Sequence, residues 1–206
     1  MEKRENKIIN AIRRCFRDYV ERGLFNSNFI GDKLEYYSGG RCHSRVLGML
    51  VQSFHEMDYI TDIERKVKFE KPYKPPQKRQ NQNAFTPDIT VVNNQDEIVG
   101  IIEYETIDAS RDHLYQKIEY FKHVIPVHKS LQFIIFFPTL TTLGKSPNSW
   151  IEKNRQKYVI PITDELKKLS DANPKIDIYF FILDENGLFS KWIKGGEINE
   201  DTTEIW

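Results

Sequence analysis

The run Phe133-Ile134-Ile135-Phe136-Phe137 constrains this chain more than any other segment. Five consecutive apolar residues leave no polar face, so a strand built from them needs cover on both sides. Such a strand, over residues 131–137, belongs at the centre of a sheet with helices above and below. The run is far too short to cross a bilayer, which takes about 20 residues of helix. It is the longest run of apolar residues without a tyrosine, so no membrane partner is expected.

The flanking segments supply the helices. Residues 3–22 carry Ile9, Ile12, Phe16 and Val20 at helical spacing, with Gly23 as the stop. Residues 43–57 repeat the pattern with Leu47, Leu50, Phe54 and Met57, and residues 110–124 with Leu114, Ile118 and Phe121. Further helices are predicted near 148–157 and 161–171. Strands are predicted over 59–69, 89–92, 98–106 and 176–183, where apolar and β-branched residues gather. Asn93-Asn94-Gln95-Asp96 is a turn, so 89–92 and 98–106 read as a hairpin. Residues 71–83 combine Pro, Gln, Asn, Lys and Arg without periodicity and read as a loop. The acidic end, 197–204, reads as loose. No repeat or linker divides the chain. The expectation is therefore one α/β domain over 1–206, a mixed central sheet flanked by helices. Its core lies at about 42–137, with an N-terminal helix and loop in 1–40 and C-terminal helices and a strand in 138–206.

Several function classes drop out. There is no Gly-x-Ser-x-Gly, no phosphate-binding glycine loop and no His-Glu-x-x-His. Two cysteines, Cys15 and Cys42, form no zinc spacing and suit a reducing cytoplasm. The first residues, Met1-Glu2-Lys3-Arg4-Glu5, are charged and do not read as a signal peptide. Thirty cations balance thirty anions, so any nucleic-acid binding must come from local patches and not from a global field.

The chemistry concentrates around one hairpin. Pro87-Asp88 opens a strand, and Glu103-Tyr104-Glu105 ends the paired strand, which is otherwise apolar at Ile98, Val99, Ile101 and Ile102. Strand alternation sends Glu103 and Glu105 to one face and Ile102 and Tyr104 to the other. Two acids at the end of an apolar strand are costly unless something pairs with them. A divalent cation is one partner; lysines or solvent are the others. A hairpin brings Asp88 beside the pair. Magnesium takes hard oxygen ligands and keeps several waters, so two or three carboxylates suffice. Such an ion polarises a phosphodiester and activates a water for attack.

The order of helix, strand, Pro-Asp strand, Glu-x-Glu strand, helix and apolar strand resembles the PD-(D/E)xK nuclease superfamily, the restriction-endonuclease-like group, over residues 42–137. Gln116-Lys117-Ile118-Glu119-Tyr120 is similar to the Gln-x-x-x-Tyr element of its exonuclease-like branches, with Gln116 and Tyr120 on one helix face. The resemblance implies a restriction-endonuclease-like fold and Mg²⁺-dependent hydrolysis of DNA, with Mn²⁺ as a substitute ion. It implies Asp88 and Glu103 as metal ligands, the Tyr104 carbonyl beside them, and Gln116 and Tyr120 as supports of the site. Glu105 stands where the family has lysine; it serves as a base or second ligand, or it marks an inactive relative acting as a nucleic-acid-binding or assembly module. The early helix lacks the acid that many members carry there, and Glu64 is the preferred substitute ligand. Lys74, Lys78, Arg79, Arg111 and Lys117 are the expected nucleic-acid contacts. Cutting both strands needs two sites, which makes a homodimer the expected assembly.

Overall fold

A computed structural model of the chain describes residues 7–14, 40–76, 78–106, 111–139, 160–184, 187–194 and 197–203. The helix expected at 148–157 and most of the one at 3–22 lie outside these residues. The described part of the latter is helical over 7–14 (α1). The remaining elements run α2 (Gly40–His55), β1 (Ile60–Ile63), β2 (Val67–Tyr73), β3 (Gln82–Phe85), β4 (Ile89–Val92), β5 (Ile98–Thr106), α3 (Arg111–Val124), β6 (Phe133–Thr139), α4 (Ile160–Ala172), β7 (Asp177–Asp184), β8 (Gly187–Lys194) and β9 (Glu197–Thr203).

Seven strands form one mixed sheet in the order β1-β4-β5-β6-β7-β8-β9. The centre, β5-β6-β7, is parallel, and both flanks are antiparallel. The apolar β6 sits fourth of seven. Phe133 and Ile135 pack into the layer under α1 and α2, with Ile8, Ile12, Leu50 and Phe54. Ile134 and Phe136 pack into the layer under α3 and α4, with Ile118, Phe121, Ile162 and Leu166. α3 lies between β5 and β6 in the chain and α4 between β6 and β7. Both pack on one face, as crossovers of one hand require when the strands advance in one direction. Arg14 of α1 pairs with Glu56 just beyond α2, which ties the two helices of the other layer.

The β4–β5 hairpin forms as its sequence predicts. Asn93 Oδ1 accepts from the backbone N–H of Gln95 and Glu97 at 3.0 and 2.9 Å, and Asp96 takes a left-handed φ of 61°. The register slips once, from Val91–Gly100 to Val92–Ile98. Gly100 is required at this bulge, because a Cβ there would run into the Phe133 ring.

Three expectations need correction. The predicted strand 59–69 is two strands: Glu64 adopts a φ of 61°, and the chain leaves the main sheet there. The bend is held by Arg65, whose guanidinium binds Asp62 at 2.9 Å and Asp96 of the hairpin turn at 2.6 Å. Residues 71–83 are not a plain loop, since β2 runs to Tyr73 and β3 begins at Gln82, forming a separate two-stranded ribbon. The acidic end is not loose: 197–203 forms β9 beside β8, with Glu197 opposite Lys194 and Glu200 opposite Lys191 in register. This pairing is invisible to a reading of net composition alone.

Candidate active site

The site is built where β4 begins and β5 ends. The antiparallel register pairs Ile89 with Ile102, so one further step sets Asp88 opposite Glu103. Asp88 is locked there by its own backbone environment, as the Tyr104 N–H donates to Asp88 Oδ2 at 2.8 Å. The carboxylate oxygen takes the Tyr104 N–H in place of a ladder carbonyl, one step beyond the last β4–β5 pair.

Glu103 is fully buried, on the α3 side of the sheet, while its neighbours Ile102 and Tyr104 are buried on the α2 side. Lys117 of α3 reaches it, Nζ donating to Oε2 at 3.0 Å, and the lysine is only 14% exposed. An ion pair this buried is stronger than a surface one because little water screens it, though desolvating both ions opposes the gain. Lys117, an expected nucleic-acid contact, is set on Glu103. A signal was present: Lys117 falls three residues after Leu114 and four before Phe121, on the buried stripe of α3.

Gln116 and Tyr120 of α3 are buried beside this pair, each 7% exposed. The Tyr120 hydroxyl donates to Gln82 Oε1 of β3 at 3.0 Å. Burial pushes the Tyr120 phenol up from its ordinary value; the Lys117 charge opposes this, and the Tyr73 and Glu103 charges add to it. Gln116 Nε2 is buried with no hydrogen-bond partner among the described residues. A donor left so costs about 1–3 kcal/mol.

On the other side of Asp88 lies a cavity of about 420 Å³, lined among others by Ser44, Leu47 and Gly48 of α2, Glu64 after β1, and Pro87 with Asp88. The left-handed turn at Glu64 thus brings an acid from a third segment to the same cavity as Asp88. The Glu105 backbone lies in β5, paired with Pro138; its side chain, and that of Arg111, lie outside the described residues. Among the described residues, no three His, Cys, Asp or Glu side chains gather closely enough to hold a metal ion by themselves. Lys74, Lys78 and Arg79 are exposed on the ribbon that precedes Asp88.

Among the described residues no helix is long and apolar enough to cross a membrane. No protein-family description matches the chain, and no curated protein matches it. Among solved structures it is similar to the YaeQ protein from Xanthomonas axonopodis pv. citri, with a TM-score of 0.27 at 6% identity over 78% of this chain and 77% of that one. It is also similar to the YaeQ protein from Pseudomonas syringae, with a TM-score of 0.19 at 14% identity over 58% and 64%. Both likenesses are too distant to carry an argument about fold or function.

Proposed function

We propose that the chain is a Mg²⁺-dependent nuclease of the PD-(D/E)xK, restriction-endonuclease-like group that hydrolyses DNA phosphodiester bonds. The observation that carries this reading is the buried Glu103 carboxylate, one register step from Asp88 and in contact with Lys117. A fully buried acid at a strand end, paired with a lysine, is expensive as mere scaffolding and useful as a reaction centre. The residues that would hold a hard cation are Asp88 and Glu103 with the Tyr104 carbonyl, all oxygen donors, while Glu64 lines the cavity on the other side of Asp88. When bound, such an ion would polarise the phosphodiester and lower the pKa of a water.

The chain's own groups supply the rest. Asp88 and Glu103 offer oxygens from two rigid strands. Lys117 brings from α3 the positive charge that the family carries at the position of Glu105. It orients the attacking water and offsets charge on the phosphate, so Glu105 is relieved of that role. The unmatched Gln116 Nε2 donor is directed to substrate or a ligand carboxylate. The same reading puts the protein in the cytoplasm and makes a homodimer the form that cuts both strands.

A second reading, a binding or assembly module that does not cut, is favoured by one observation: no complete three-acid group occurs among the described residues. One experiment separates them. Supercoiled plasmid and linear duplexes are incubated with the full chain in Mg²⁺ and in Mn²⁺, beside Asp88→Ala and Glu103→Ala. The nuclease reading expects nicking that falls at least about 100-fold in each variant, more than the loss typical of a metal's outer-shell partner. No cutting by wild type, or equal cutting by the variants, overturns it.

A further inference from the structure

The β2–β3 ribbon stands off the main sheet, and its two sides differ in character. Inward, Phe69 stacks on Phe85 and on Tyr120 of α3 with ring centroids 6.0 and 5.6 Å apart, and Tyr73 stacks on His123 of α3 at 4.4 Å. These contacts clamp the ribbon to the helix that carries Gln116 and Lys117. Outward and at the tip, Lys66, Lys68, Lys71, Lys74, Lys78 and Arg79 are all exposed. Glu70 is the single acid between residues 66 and 83. None of the six cations forms an ion pair among the described residues. In a chain of zero formal net charge, this concentration has no counterpart in composition. Gln80, Asn81 and Asn83 add exposed amides beside the cations, and three residues beyond Phe85 the chain reaches Asp88.

We propose that this ribbon docks in the major groove of duplex DNA and feeds the backbone to the site. The inference rests on the nuclease reading for its purpose but not for its test. The fit is one of shape and charge. Two strands lie about 4.8 Å apart, well within a B-form major groove about 12 Å wide. The seven residues of β2 extend about 23 Å, enough to follow the groove across several base pairs. The cations neutralise phosphates on its walls, and the amides are the groups that recognise adenine edges. Duplex RNA presents a deep, narrow major groove that excludes such a ribbon.

The test measures binding of the full-length chain to a labelled 25-base-pair duplex in EDTA over a range of salt, so no cleavage is needed. Lys74→Ala/Lys78→Ala/Arg79→Ala is compared with Lys7→Ala/Lys175→Ala, one exposed lysine on α1 in the layer opposite α3 and one in the turn before β7. The ribbon variant is expected to bind at least about tenfold more weakly and to flatten the slope of log affinity against log salt by about 2–3. The control variant is expected to match wild type. Unchanged binding by the ribbon variant, equal losses in both variants, or tighter binding of duplex RNA than of DNA would each overturn the proposal. A chain that binds through the ribbon and cuts nothing keeps the docking surface and refutes only the nuclease reading.

Discussion

Lys117 and Glu103 show what one long-range contact does to the reading of a motif. An acid at a strand end has three available partners: solvent, a metal or a cation. Glu103 is buried and Lys117 touches it, so solvent is excluded and the cation is in place. Removing the lysine strands a charge in the interior. Lys117→Met should therefore cost about 3–5 kcal/mol of unfolding free energy, as broken buried pairs do. Glu103→Leu/Lys117→Met, which removes both charges, should recover most of that loss. Urea titration of the three proteins checks this; a loss below about 1 kcal/mol in Lys117→Met would mean the pair is not the buried unit described here.

At the scale of elements, the ribbon is attached by more than its aromatic face. His128, in the turn before β6, is half-buried and forms a hydrogen bond with the Lys68 backbone of β2. Burial holds the imidazole below its ordinary range; the Lys68 hydrogen bond opposes this and the Arg65 charge assists it. Because its folded pKa is depressed, the unfolded chain takes up the proton more readily. The contribution of this residue is thus fully present above about pH 6.5, the ordinary histidine value, and is lost as pH falls through the folded pKa. The urea midpoint of wild type should drop between pH 7 and pH 5 by more than that of His128→Gln, which cannot titrate. Parallel pH dependence in the two proteins would show that this histidine does not link the turn to the ribbon.

For the molecule as a whole, the sheet ends matter. β7 is the last parallel strand, and β8 and β9 extend the sheet beyond it by two antiparallel strands. They cover an edge that would otherwise present a row of unpaired backbone groups. A chain ending at residue 186 should lose its monodispersity on gel filtration and aggregate in proportion to concentration. A truncated chain that elutes sharply, with an unaltered thermal transition, would show that these strands add nothing to the integrity of the sheet.

Much of this architecture follows from one-dimensional patterns. The apolar β6, the helix α3 and the β4–β5 hairpin are written in periods of two and 3.6 residues and in one asparagine-rich turn, all of which act over a few neighbours. The alternation does not fix which residue of β5 lies next to Asp88: the bulge at Gly100 shifts the register by one and sets Ile89 opposite Ile102. What the tertiary structure alone decided involves partners far apart in sequence. Lys117 meets Glu103 across 14 residues, Tyr120 meets Gln82 across 38, and Arg65 holds Asp96 across 31. The break at Glu64, the ribbon it releases and the covering strands β8 and β9 depend on such contacts, whose energy comes from burial in the assembled core. No local period encodes that, so a strand in the main sheet and one in the ribbon look alike until the chain is folded.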